Sequence, residues 1–274
     1  MADIPTHPVR VNVMRAQFLA IVFVVLLTSP SAAQTPPPDR LQHILDSGTL
    51  RVGTTMDTPV FSMRTSSGQL EGFDMDALAT LAPALGVKID YVKMTFGSML
   101  SDRAADKFDI AMSGMGRTLD RARTATFSKP YMRYGKLMAV RNADRDRFKS
   151  ISDLDKPGVK IAYNKGGLNE TFAKSMFKQA TPIAFDSNAL ATAALFDGNV
   201  DAQVADSTAA LYMARQDARI AVMDPANVFN PVYVAILLHR EDQTLLNYLN
   251  IWIDQIEMDG TLAKIRAKWL GDAR

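Results

Sequence analysis

The chain has 274 residues, 47% hydrophobic and 22% charged, and 31 Lys and Arg against 29 Asp and Glu leave a formal net charge of +2. This is the balance of a globular protein, and near-neutrality argues against nucleic acid or a polybasic membrane surface as partner. With no cysteine and three histidines (His7, His43, His239), disulfides, thiol catalysis, iron–sulfur clusters and a lipidated Cys are excluded, and no metal, cofactor or Ser-His-Asp hydrolase is expected.

Arg10 and Arg15 precede an apolar run, Phe18 to Leu27, followed by small residues at Ser31 and Ala33. This is the layout of a secretory signal cut after Ala33, with Met1 or Met14 as the start, and the run is short for a permanent membrane span. Gln34 to Asp39, with Pro36, Pro37 and Pro38, reads as an extended leader. The mature chain is expected in the periplasm.

Strand-like and helix-like segments then alternate. Leu50–Gly53 reads as a buried strand. Met75, Leu78, Ala79, Ala82 and Leu85 give Asp74–Leu85 a helical spacing, closed by Gly86 and strained by Pro83. Val87–Val92 reads as a strand, Phe96–Ala105 as a helix, Asp109–Met112 and Leu137–Val140 as strands. Asp102, Asp106 and Asp109 read as a solvated face and strand lead-in, and the charges from Asp144 to Lys149 as a solvated connection. A second set follows: strand Val159–Ala162, helix Asn169–Phe177, strand Ile183–Phe185, and helix Asn188–Phe196 capped by Ser187. Next come strand Ala202–Ala205, helix Ser207–Arg215 and one continuous strand, Val232–Leu238. The C-terminus reads as two helices, Asp242–Met258 and Thr261–Trp269.

Such alternation predicts an α/β fold with two lobes, each a mainly parallel sheet flanked by helices. The expected boundaries are residues 1–33 (signal), 34–39 (leader), 40–140 (first lobe), 141–233 (second lobe) and 234–274 (return to the first lobe). Hinge crossings are expected near Val140–Asn142 and Pro231–Val234.

In parallel sheets the ligand crevice lies beyond the carboxyl ends of the strands. Three stretches occupy that position: Ser113-Gly114-Met115-Gly116-Arg117-Thr118 running to Arg121, Asn164-Lys165-Gly166-Gly167 before a helix, and Asp206. Glycines admit anions to backbone N–H groups, an arginine fork matches a carboxylate, and an aspartate complements an ammonium. Anion and cation sites converging on one cleft describe an α-amino acid pocket. Taken singly, each piece has a plainer reading: Arg121 as a surface ion pair, Asp206 as a helix cap, the glycines as turn chemistry, Ser113 as a local backbone partner. P-loop, GxSxG and HExxH motifs are missing, and Ser175–Lys178 matches SxxK only by chance spacing.

The chain resembles the bacterial extracellular solute-binding proteins of family 3, the amino-acid receptors of ABC importers. The resemblance runs from about Leu41 to Leu270. It is carried by Gly48-Thr49-Leu50-Arg51-Val52-Gly53, Gly72-Phe73-Asp74-Met75-Asp76, Lys107-Phe108-Asp109-Ile110, Arg117-Thr118-Leu119-Asp120-Arg121 and Phe127-Ser128-Lys129-Pro130-Tyr131. Asp109–Gly114, Gly135-Lys136, Pro157-Gly158-Val159 and Asn164–Glu170 are similar to a periplasmic enzyme branch, the cyclohexadienyl dehydratases, which act on prephenate or arogenate. The resemblance thus implies a two-lobed type II periplasmic-binding-protein-like fold and two activities, receptor or lyase.

It also implies roles. Arg121 matches the carboxylate-binding arginine and Asp206 the ammonium-binding aspartate. Ser113 and Thr118 are polar positions of the same loop, with backbone N–H groups at Gly116 and Leu168 assisting. Asn164 and Asn169 match polar positions of the dehydratase branch. Thr58, Phe61, Phe96 and Met115 would line the side-chain pocket. The dehydratase general acid, a glutamate three positions after the aspartate, is Ala209 here. Its tryptophan, tyrosine and threonine are Phe96, Thr58 and Leu168. The expectation is therefore a receptor for an amino acid or related carboxylate, delivering to an inner-membrane ABC permease, with prephenate/arogenate dehydratase as the alternative. A membrane-kinase sensor domain is disfavoured, because no apolar run follows Trp269.

Overall fold

The computed structural model describes residues 1–2 and 39–271, so the expected signal and most of the leader lie outside the described residues. From Arg40 the chain forms α1 (Arg40–Ser47), β1 (Thr49–Thr54), β2 (Asp57–Thr58), β3 (Ser62–Arg64), β4 (Leu70–Glu71), α2 (Phe73–Leu85) and β5 (Lys88–Lys93). Then come α3 (Met99–Ala104), β6 (Ile110–Ala111), α4 (Leu119–Ala122), β7 (Thr126–Phe127) and the long β8 (Met132–Arg141). Next are α5 (Ile151–Leu154), β9 (Lys160–Asn164), α6 (Leu168–Met176), β10 (Thr181–Phe185), α7 (Asn188–Phe196), β11 (Ala202–Asp206) and α8 (Ser207–Gln216). The chain closes with β12 (Ile220–Met223), β13 (Phe229–Val234), β14 (Leu237–Leu238), α9 (Gln243–Met258) and α10 (Thr261–Leu270).

Two main sheets make a two-lobed α/β fold. The first has the order β5-β1-β6-β14-β7, with β5, β1 and β6 parallel and β14 antiparallel to both β6 and β7. The second runs β10-β9-β11-β8-β12, with β13 also on β8. There β10, β9 and β11 are parallel, while β8 is antiparallel to β11, β12 and β13. A small antiparallel sheet, β2-β3-β4, adjoins α2.

Three expectations are corrected. Leu137–Val140, placed with the first lobe, lies in β8, whose ladder partners β11, β12 and β13 all belong to the second sheet. Continuous strand Val232–Leu238 is instead two strands: β13 ends on β8 in the second sheet, and β14 begins in the first. The apolar run looked uniform because Val234 to Leu238 is buried on every side while it changes sheet. The helix expected from Phe96 starts only at Met99. Thr95 and Ser98 exchange hydroxyl–backbone bonds, 3.0 Å in each direction, and hold the preceding turn out of the helix.

Each lobe has its own core. Leu50, Val52, Phe73, Leu78 and Leu81 of the first meet Leu249, Trp252 and Ile253 of α9 and Trp269 of α10, so the C-terminal helices seal that lobe. Trp252 is 4% exposed, and its indole N–H donates to Thr80 Oγ1 at 3.2 Å. The second core gathers Met138, Val140, Ile161, Tyr163, Phe172 and Val204. Asp109, from the set read as a solvated face and strand lead-in, is 1% exposed and pairs with Arg40 at 2.9 Å and Arg51 at 2.7 Å. It ties α1 to the lead-in of β6.

Asp74, in the first turn of α2, braces the loop after β6. Its Oδ1 accepts from the Tyr131 hydroxyl and its Oδ2 from the Gly114 N–H, both at 2.7 Å. Gly114 has φ +65°, and a Cβ there would lie 2.6 Å from the Phe61 ring, so only glycine fits. Complete burial pushes the Asp74 carboxyl up to about 7, against the two hydrogen bonds.

Two outcomes follow from the packing. Trp252→Ala loses about 3–5 kcal/mol, read as a lower urea midpoint with unchanged slope. For Asp74, the native carboxyl holds its proton more tightly than the unfolded one, so its contribution to stability falls as pH rises from about 4 to about 7. Asp74→Asn removes that fall. The wild-type-minus-variant difference in urea midpoint should drift by the equivalent of a few kcal/mol across that window; a pH-independent difference contradicts this.

Candidate functional site

Loops at the carboxyl ends of β6, β9 and β11 converge on an inner cavity of about 10 Å3, the room of about one water molecule. It is lined by Phe96, Arg121, Tyr134, Lys136, Asn164, Gly167, Leu168, Asn169 and Asp206. Phe96 and Arg121 come from segments of the first sheet; Lys136, Asn164, Asn169 and Asp206 come from the second. An outer cavity of about 510 Å3 shares Phe96 and Asn164 with it and opens between Thr55–Asp57, Lys93–Thr95 and Asp186–Asn188.

Arg121 is 7% exposed. Thr118 caps α4 by accepting from the Arg121 N–H at 3.3 Å, which sets the direction of the following side chain. Arg121 Nη1 donates to the Gly116 carbonyl at 2.9 Å, the one hydrogen bond its guanidinium makes among the described residues. Burial lowers its pKa, opposed by Tyr134 and Asp206. The fork keeps unused donors, as a carboxylate receptor requires.

Lys136 was named from the sequence only within the Gly135-Lys136 stretch and was given no role there. It sits directly across the β8–β11 ladder from Asp206 in antiparallel register, and its Nζ contacts Asp206 Oδ1. The pair is deeply buried, with side-chain exposures of 2% and 9%. Nζ also lies 5.0 Å from the Tyr134 ring centre. Burial pulls the Lys136 pKa down, Asp206 pulls it up, and Arg121 adds repulsion. Asp206 is the N-cap residue of α8, yet its side chain makes no cap bond because it is committed to Lys136. Tyr134, whose hydroxyl donates to the Gly114 carbonyl at 3.1 Å, has a pKa raised well above its ordinary value by burial.

Asn169 Nδ2 donates to Asn164 Oδ1 at 2.8 Å, leaving the buried Asn169 Oδ1 without a partner. Glu170 is turned outward, accepting from the Gly166 N–H at 2.7 Å and pairing with Lys174. Ala209 is buried in α8 and does not line the cavity.

Of the twelve predicted residues, Phe96, Arg121, Asn164, Leu168, Asn169 and Asp206 meet at the inner cavity. The others do not line it. Ser113 and Thr58 join Thr55 and Ser62 in a buried hydroxyl cluster; the Ser113 oxygen is 2.8 Å from Thr55 Oγ1 and 2.6 Å from Ser62 Oγ. Phe61 and Met115 are fully buried core residues. Thr118 acts as a cap, and Gly116 offers Arg121 its carbonyl.

The lobes touch closely at the cleft. A Cβ on Gly166, which has φ +75°, would fall 2.2 Å from Gly97 Cα, and one on Gly116 would fall 2.5 Å from Leu168 Cδ1. Asp57 on β2 accepts from the Asn188 N–H at 3.0 Å, placing a carboxylate at the first turn of α7. Burial raises the Asp57 pKa, opposed by Thr55 and that N–H. Among the described residues, no group of three or more His, Cys, Asp or Glu is arranged to hold a metal ion.

Comparison with known proteins places this geometry. The chain is 36% identical over 251 residues to cyclohexadienyl dehydratase from Pseudomonas aeruginosa, covering 92% of each chain. It is 25% identical over 258 residues to the L-cystine-binding protein TcyJ of Escherichia coli, covering 94% of this chain and 96% of that one. Among solved structures, the ancestral amino acid-binding protein AncCDT-1, described as a precursor of cyclohexadienyl dehydratase, aligns with a TM-score of 0.80 and 38% identity over 84% of this chain and 99% of that one. The fold is that of type II periplasmic binding proteins. With residues 50–272 matching its model, the chain belongs to the bacterial extracellular solute-binding proteins, family 3.

Proposed function

We propose that the protein is a periplasmic receptor of an ABC importer, binding an amino acid or related small carboxylate between its lobes. The observation that carries the reading is the convergence of Arg121 with Lys136, Asp206, Asn164 and Asn169 on one cavity, where Arg121 retains unused donors. The ligand carboxylate docks on Arg121, and the remainder of the ligand extends past Phe96 toward the outer cavity. Because the contacts come from both lobes, ligand favours the closed arrangement, which an inner-membrane permease would read.

The proposed lobes are residues 40–131 with 235–271, and 132–234. The chain crosses where Tyr131 N–H donates to the Val234 carbonyl at 3.0 Å. Residues 1–33 are proposed as the export signal and 34–39 as the leader.

The second reading is a prephenate/arogenate dehydratase, favoured by the 36% identity to the Pseudomonas protein. Against it stands the proton donor. A positioned acid contributes about 10²–10⁴ in rate. Residue 209 is alanine, and the one carboxylate lining the inner cavity is held by Lys136.

Prephenate incubated with the purified protein should give no phenylpyruvate absorbance above the buffer rate; turnover abolished by Arg121→Ala would establish the lyase instead. A thermal-shift screen of amino acids and small carboxylates should find a ligand that raises the midpoint, by the equivalent of about 2.7 kcal/mol at 100 times Kd. Arg121→Ala should erase that shift. Gly166→Ala sets a Cβ against the Gly97 backbone and should weaken the same ligand by isothermal titration; unchanged affinity contradicts the closed site.

A further inference from the structure

The aspartate that an amino-acid receptor would offer to an ammonium already has a cation on it. Lys136 and Asp206 are cross-strand partners, in contact and almost wholly buried. We propose that Lys136 stands in the place of a ligand ammonium, so that the cleft selects carboxylates lacking an α-amino group, such as 2-oxo and 2-hydroxy acids, over the corresponding amino acids. This rests on the receptor reading above and narrows its ligand class.

Three observations support it. The first is charge. Arg121 and Lys136 against Asp206 leave the inner cavity with one excess positive charge. A carboxylate without an amino group cancels it, whereas a zwitterion leaves it buried and uncompensated. The second is donor capacity. An ammonium has three N–H donors, and among the described residues Lys136 Nζ uses one, on Asp206. The others suit an oxo or hydroxyl oxygen beside the ligand carboxylate, which Arg121 holds. The third is confinement. Lys136 is 2% exposed and lies against the Tyr134 ring, so an ammonium arriving at the other oxygen of Asp206 would set one more buried cation beside Lys136 and Arg121 with no added counter-ion. Burial and Arg121 already lower the Lys136 pKa, and a ligand anion reverses that tendency.

The test is isothermal titration of the purified full chain at neutral pH with matched pairs: phenylpyruvate against phenylalanine, 4-methyl-2-oxopentanoate against leucine, and 2-oxoglutarate against glutamate. Wherever heat is detected, the oxo acid should bind at least about tenfold more tightly, the scale of one charged hydrogen bond. Lys136→Met, which frees Asp206, should shift the ratio toward the amino acid. If that variant does not fold, the wild-type ratio decides alone. An amino acid binding as tightly as its oxo partner overturns the proposal while leaving the receptor reading intact. Binding by neither series overturns both.

Discussion

The buried ion pair between Lys136 and Asp206, facing the guanidinium of Arg121, is the interaction on which the cleft depends. Two opposite charges taken out of water are tolerable only when each satisfies the other, and removing one partner strands the survivor. Here the two positions are opposed in the ladder between β8 and β11, so the sheet register itself sets the pair. Arg121 approaches from the other lobe on a separate short helix, positioned by its Thr118 cap and by the Gly116 carbonyl. Fixed charge in one lobe and an unfilled arginine fork in the other make a site that a small anion can join.

The rest of the fold presents these groups. Parallel strands β6, β9 and β11 bring their carboxyl-end loops to one crevice, as open α/β sheets do. Glycines at 116 and 166 let the two sides approach to distances that a side chain there would forbid. Asp74 holds the loop carrying Gly114 and Gly116 to the start of α2, linking the first core to the cleft. The change of sheet between Val234 and Leu237 gives each lobe a share of the same buried segment.

Much of this was legible in the residues. The periodicity of α2, the Ser187 cap of α7 and the loops after β6, β9 and β11 are local signals, and the structure bears each of them out. Arg121 and Asp206 were candidates because strand ends carry chemistry in such folds, and both line the inner cavity. Lys136 was given no role for a topological reason: a lysine within an apolar strand shows its partner only when the strand's neighbour is known, and the antiparallel pairing of β8 with β11 is not written in either segment. The break between β13 and β14 was invisible because burial, not turn chemistry, accompanies it. Ser113 and Thr58 were read as candidate ligand contacts; their place in a hydroxyl cluster with Thr55 and Ser62 joins distant segments and has no local signal. Ala209 was informative from the start, since no arrangement of backbone can make a proton donor of a methyl group.

The most direct measurement is a double-mutant cycle on the buried pair, using Lys136→Met, Asp206→Leu and the combined variant in urea unfolding. The account predicts that each single change costs about 3–5 kcal/mol by stranding the other charge, and that the double variant recovers most of that loss. Costs that simply add would contradict it, because they would mean that Lys136 and Asp206 do not satisfy one another and that the aspartate is free to receive a ligand ammonium.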